Sequence, residues 1–220
     1  KRDSNLESVE TIEALIKAKE LLKETLGEYD NIEIIFDDVL NVDLNALIEE
    51  KFKGMPVVVC ANLPYYITSP IIMKLLEDRL NVENITVMVQ KEAAQRLCAR
   101  QQSRDIGAIS LAVQYYSDPQ MCFTVSPGSF YPAPKVTSSV IKLVVKKEND
   151  IKPKNEKNMF RLIRASFTQR RKTLVNSRST TLGIPKGDIE QALETLGIDR
   201  LVRPEKVSLE QFRALSDILL

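Results

Sequence analysis

Apolar and polar positions alternate along this chain with two different periods, and the change from one to the other marks its elements. Leu15, Ala18, Leu22 and Leu26 recur at helical spacing, so Thr11 to Leu26 is predicted to be a helix with Gly27 as its stop. Ile32 to Phe36 is a short β-rich run ended by Asp37-Asp38, and Leu44 to Phe52 is helical up to Gly54. Val57 to Ala61 is the next strand, and Pro70 to Leu80 is a helix with proline near its start. Ile85 to Val89 is a strand and Lys91 to Arg100 a helix. Ile106 to Tyr116 is apolar and reads either as helix or as helix running into strand. Met121 to Val125 and Ser139 to Val145 are strands on either side of the stiff loop SPGSFYPAP. Strands alternating with helices imply α/β units on a mostly parallel sheet, here with an antiparallel addition at one edge.

The pattern changes after Lys146. A charged stretch reads as a linker, and β-branched runs then give way to helical stretches at 159–175, 187–196 and 208–219. Ser208 and Gln211 are spaced as a capping box for the last of these. The expected layout is an α/β domain over 1–147, a linker over 148–158 and a small all-helical domain over 159–220.

Composition narrows the chemistry. These 220 residues contain no histidine and no tryptophan, which removes histidine-dependent triads and histidine metal sites. Cys60, Cys98 and Cys122 are widely spaced without a CxxC pair, so a reducing cytoplasm is expected. No apolar run is long enough to span a bilayer, and no basic-then-apolar leader opens the chain. Net charge is +1, but it is unevenly laid out. Arg161, Arg164, Arg170, Arg171, Lys172 and Arg178 follow one another with no acid between them. On a helix, Phe160, Ile163, Phe167 and Leu174 would form a docking stripe, and Arg161, Thr168 and Lys172 a second one flanked by Arg164 and Arg171, facing phosphates or only solvent.

Candidate chemistry sits where strands end, since ligands of open α/β sheets bind beyond the carboxyl ends of strands. Asp37 or Asp38 closes one strand and could accept a bond from an adenine amino group; it also reads as a turn or cap acid. Asn62-Leu63-Pro64-Tyr65 closes the next. The Asn62 side-chain oxygen and a loop carbonyl near Pro64 could accept both N–H bonds of an exocyclic amine, turning its nitrogen toward a methyl donor. Tyr65 could stack on the base, and Phe130, held among Pro127, Pro132 and Pro134, could form the opposite wall. The alternatives are a turn-forming Asn-Pro exit and aromatic rings that only cover the core.

Those residues also carry a resemblance. NLPYYITSPIIMKLLE, VMVQKEAAQRL, VSPGSFYPAPKVTSSVI and FRLIRASFTQRRKTLVN, together with YDNIEIIFDDVL, resemble in order the motifs of the adenine-N6 rRNA dimethyltransferases, the KsgA and Erm family. The resemblance implies a Rossmann-like methyltransferase domain with a helical RNA-binding domain, and S-adenosylmethionine as cofactor. It assigns Asp38 and Val39 to the cofactor adenine and Asn62 to both the methyl-donor region and the target amine. Leu63, Pro64, Tyr65 and Phe130 shape the pocket. It further implies dimethylation of two adjacent adenines near the 3′ end of small-subunit rRNA, in a pre-ribosomal particle, by a monomeric enzyme that needs no membrane or metal. The long match through QRRKTLVN favours this branch over the antibiotic-resistance branch that acts on large-subunit rRNA; a non-catalytic assembly factor is the other alternative. Family members also carry a strand and a glycine-rich EIGPG-type loop, followed by an acid for the cofactor ribose. None of this is legible in Lys1 to Glu20, although Glu13 falls near the ribose acid by its spacing from LLKETL. The methyltransferase domain therefore reads as incomplete, part of a longer protein, and the 220 residues alone are expected to bind the cofactor very weakly and to be inactive.

Overall fold

A computed structural model describes the backbone of residues 9–169 and 172–220, and side chains from Ile16 onward except at 170, 171 and 178–181. The chain divides into two compact units, 1–41 and 42–220. In the first, helix α1 (Val9–Leu26) stops at Gly27. A Cβ there would lie 2.4 Å from the Lys23 carbonyl oxygen, so only glycine fits the helix exit. The Lys19 ammonium sits 5.3 Å above the Phe36 ring.

Residues 32–36 do not form the expected strand. β-rich composition makes a strand only when a neighbour supplies the hydrogen-bond ladder, and among the described residues none pairs with this run. Ile32, Ile35 and Phe36 are exposed instead. Asp37 and Asp38 therefore sit in a turn and not at a strand end. The Asp38 N–H donates to Asp37 Oδ1 at 2.7 Å, and Asp38 Oδ1 accepts from the Leu40 N–H at 2.9 Å.

The second unit opens with α2 (Leu44–Phe52), whose first turn is capped by Asp43 accepting from the Ala46 N–H. Then follow β1 (Val58–Asn62), α3 (Thr68–Glu77), β2 (Asn84–Gln90), α4 (Lys91–Leu97), α5 (Ala108–Tyr116), β3 (Ser117–Val125) and β4 (Ser138–Val145). The four-stranded sheet has the order β1-β2-β4-β3. Only β1 and β2 are parallel; β4 runs antiparallel to both β2 and β3. The described sheet is thus mixed, where the alternation predicts a mostly parallel one. The antiparallel edge is as expected, because the proline-rich excursion lets β4 return beside β2. Ala108 to Tyr116 is wholly helical, and β3 starts directly after it.

Register decides which face is core. Ile85 pairs with Leu143 and Val87 with Ile141, and all four side chains are buried. Ile72, Leu75 and Leu76 of α3, Leu97 of α4 and Leu111 and Val113 of α5 are buried with them. Each contributes about 1.5–3 kcal/mol by leaving water. The buried Ser110 hydroxyl ties this layer together, donating to the Arg96 carbonyl at 2.6 Å while accepting from the Gly107 N–H.

Helices α6 (Glu156–Phe167), α7 (Leu174–Leu182), α8 (Lys186–Thr195) and α9 (Leu209–Leu219) complete the unit. The single helix predicted over 159–175 is two. Thr168 bonds back to the Ala165 carbonyl at the end of α6, and Thr173 restarts the chain as the N-cap of α7. The break lets the Leu174 N–H reach the Val202 carbonyl and buries the Leu174 side chain. Ser208 and Gln211 make both bonds of the predicted capping box.

Candidate active site

The parallel pair fixes the start of the site. Asn62 is the last residue of β1, opposite Met88, and the Leu63 N–H extends the ladder by donating to the Met88 carbonyl at 3.1 Å. Beyond it the chain turns sharply into α3. The Pro64 carbonyl accepts from the Ile67 N–H at 3.2 Å and from the Thr68 hydroxyl at 3.1 Å. Thr68 is buried, so this carbonyl is held toward the helix and away from solvent. The acceptor expected near Pro64 is consequently the Leu63 carbonyl, which no described group occupies. Leu63 is anchored by its buried side chain, whereas Asn62 is exposed and its amide has no partner among the described residues.

Tyr65 is half-buried, and its hydroxyl lies 2.5 Å from Ser138 Oγ. Ser138 is fully buried at the start of β4, paired on one side with Gln90 and on the other with Val125. The ring that follows Asn62 is thereby fixed to the centre of the sheet. Phe130 is half-buried at the end of a short 3-10 turn, Pro127–Ser129, and its N–H donates to the Pro127 carbonyl. A cleft of about 400 Å³ is lined by Asn62, Leu63, Pro64, Tyr65, Phe130, Tyr131, Pro132 and Pro134. The structure thus brings the predicted Asn62, Leu63, Pro64, Tyr65 and Phe130 to one place. Their donor set is neutral and rich in acceptor oxygens, with rings on its walls. That chemistry fits an amine on a flat heterocycle and a cationic methyl donor, and the cleft has the size of a small-molecule site.

Ser138 and Thr68 belong to this arrangement and were missed in the sequence. TSSV and ITSP show only small polar residues at element starts, and nothing in them says which hydroxyl is buried and aimed at the loop.

Asp38 and the half-buried Val39 are in the first unit, with the Asp38 carboxylate engaged at its turn. Glu13 falls within α1, and its side chain lies outside the described residues, as do Arg170, Arg171 and the side chain of Arg178. Arg161 and Arg164 are exposed on α6, and Lys172 is exposed in the turn after it. Phe160 and Ile163 of α6 and Leu174 of α7 are buried. Arg161 and Arg164 border a second cleft of about 580 Å³, together with Lys157, Asn158, Glu77 and Glu156. Glu156 accepts from Tyr116 at 2.6 Å and Tyr115 at 3.0 Å, and pairs with Arg79 at 2.5 Å. Burial, then the Glu156 carboxylate, raises the pKa of both phenols. All three cysteines are free, and burial pushes the Cys98 thiol up to about 11, so it is no nucleophile near neutral pH. Among the described residues no helix is long and apolar enough to cross a membrane, and no side-chain cluster is placed to hold a metal ion.

A Rossmann-like sheet with an amide, a free carbonyl and two rings at the end of its parallel pair fits the class of amino-group methyltransferases. Comparison with known proteins is more specific. The ribosomal RNA adenine dimethylase family matches residues 4–220, and the chain belongs to this S-adenosylmethionine-dependent family. It is similar to ribosomal RNA small subunit methyltransferase A of Lachnoclostridium phytofermentans, 50% identical over 201 residues that cover 90% of this chain and 69% of that one. The protein of the same name from Alkaliphilus metalliredigens is 45% identical over 197 residues, covering 89% and 69%. A crystal structure of a dimethyladenosine transferase from Plasmodium falciparum superposes with a TM-score of 0.70 at 26% identity, over 90% of this chain and 76% of that one. The 23S rRNA methyltransferase ErmE shares the fold, with a TM-score of 0.64 at 22% identity over 92% and 78% of the two chains.

Proposed function

We propose that the protein dimethylates adenine N6 in small-subunit rRNA, on two adjacent adenines near the 3′ end, within a pre-ribosomal particle. The observation that carries this is the cleft in which Asn62, Tyr65 and Phe130 meet at the end of a parallel strand pair. The substrate branch is supported by the 45–50% identity to small-subunit enzymes.

Adenine N6 is a weak nucleophile because its lone pair is delocalised into the ring. The Asn62 side-chain oxygen and the Leu63 carbonyl accept its two N–H bonds. They turn the nitrogen toward the methyl donor and favour the pyramidal geometry of the bonding nitrogen. They also stabilise the positive charge that grows there, and the ladder to Met88 holds the Leu63 backbone before reaction. Tyr65 and Phe130 hold the base between them, and the Ser138 hydroxyl sets the angle of the Tyr65 ring. S-adenosylmethionine supplies an electrophilic methyl group; Asp38, Val39 and Asn62 are the residues assigned to hold it, and Glu13 is assigned to its ribose. No side-chain base is required, since the methylated amine is acidic enough to release its proton to water. Arg161, Arg164 and Lys172 meet rRNA phosphates, with Arg170, Arg171 and Arg178 assigned to the same role.

Asn62→Ala tests this reading in the full-length protein. Single-turnover methylation of small-subunit particles is expected to fall at least about 100-fold, the roughly 2–4 kcal/mol that one preorganised group supplies. Binding of the particle should stay within a few-fold. A near-normal rate would remove Asn62 as the amine acceptor.

A further inference from the structure

Two rings stand out from the surface beside the cleft. Tyr131 is 102% exposed and Tyr66 is 85% exposed, above every other large hydrophobic side chain described. Each directly follows a wall of the cleft, Tyr66 after Tyr65 and Tyr131 after Phe130. In each pair the first ring is half-buried and the second is exposed. Tyr131 itself lines the cleft, and Pro132 and Pro134 stiffen the chain that presents it. An exposed ring left in water gains nothing in the folded protein, whereas a ring held on a rigid rim loses little entropy when something stacks on it.

The chemistry of base extrusion says what that partner is. When a base leaves its stack, the nucleotide on either side loses a stacking neighbour and bares one face. A rim with a half-buried ring for the extruded base and an exposed ring beside it covers the extruded base and its neighbours together. Stacking of this kind is tolerant of sequence, because every base has a flat face. The exposed Lys135 places a cation on the same loop for the connecting phosphate.

We infer that Tyr66 and Tyr131 are stacking platforms for the unpaired nucleotides that flank the target adenine. The inference rests on the rRNA adenine reading above. It is tested with small-subunit particles carrying intact rRNA, or rRNA with an abasic nucleotide 5′ or 3′ of the target. On intact particles Tyr66→Ala and Tyr131→Ala are each expected to raise KM at least about 5-fold. Tyr66→Phe and Tyr131→Phe should stay near wild type, since stacking does not need the hydroxyl. Removing the neighbouring base should bring the wild type to the level of the alanine variant, and that variant should lose nothing more. Alanine variants with wild-type KM, or with the same loss on intact and both abasic particles, overturn the inference. Wild-type protein that methylates no small-subunit particle removes the functional reading itself, a result seen before any variant is made.

Discussion

The cleft and the basic helix α6 are built on opposite terms. Around the cleft, three groups are fixed by a second group behind them. Ser138 holds Tyr65, Thr68 holds the Pro64 carbonyl, and the ladder to Met88 holds Leu63. On α6 the apolar residues are buried, while Arg161 and Arg164 are exposed at the border of the second cleft. Methyl transfer depends on the angle of one nitrogen, so a small displacement costs rate. Phosphate attraction falls off slowly with distance and tolerates mobile side chains. A site that needs direction is backed by buried hydrogen bonds, while a surface that needs only charge is not.

If so, the cleft should respond steeply to small changes. After Asn62, Phe130 should matter most. Phe130→Ala is expected to lower kcat/KM roughly 10-fold or more, from about 1–3 kcal/mol of lost stacking. Phe130→Tyr should be milder, and thermal melting should move little in either. An equal and large fall in Tm for both variants would make Phe130 a core residue and break the comparison. A subtler change probes the backing group. Ser138→Ala and Tyr65→Phe each remove the same bond, so each should lower kcat several-fold with a smaller change in KM. The double variant should be no slower than the worse single one. Independent, additive losses would show that Ser138 does not act through Tyr65.

This contrast also explains what was legible in the sequence. Asn62, Tyr65 and Phe130 could be placed near one another because a strand exit and a proline-stiffened loop are legible in the sequence, whereas the roles given to them rest on the family resemblance. Most elements of the second unit were visible for the same reason: period and punctuation agreed, as at Leu44–Phe52 and Ser208–Gln211. Ser138 and Thr68 were invisible because a hydroxyl acquires its role from the partner that tertiary packing brings to it. Ile32–Phe36 was misread because β propensity cannot supply a neighbouring strand. The helix expected over 159–175 ran too far because its apolar spacing continues past Thr168, while α6 ends there and the chain restarts with Leu174 buried and its N–H on the Val202 carbonyl.

The basic helix should respond shallowly. Arg161→Gln with Arg164→Gln is expected to weaken particle binding by a few-fold near physiological salt. The slope of log affinity against log salt should become less steep by roughly 1–2, because fewer counterions are released. Titration of particle binding across a salt series measures it. An unchanged slope would mean that these two cations face solvent only.

One charge on α6 breaks the pattern. Glu156, at the first turn of the helix, is fixed by Tyr115, Tyr116 and Arg79 as firmly as any group in the cleft. Its substitution should therefore be read in stability, with particle binding moved least of all. Both phenols have raised pKa values, first from burial and then from the hydrogen bond to Glu156 and its charge. An unfolded tyrosine titrates near 10. The folded state thus keeps these protons to higher pH than the unfolded chain does. The resulting stabilisation is complete below about pH 10 and is lost as pH rises above it. Glu156→Gln removes the contribution of the carboxylate and leaves that of burial. The variant should be less stable than the wild type at pH 7, and its stability should fall less steeply above pH 10, so that the two curves converge. Urea unfolding from pH 7 to 11 measures both. Curves that stay parallel would show that Glu156 does not control the phenols, and that α6 is held by its apolar side alone.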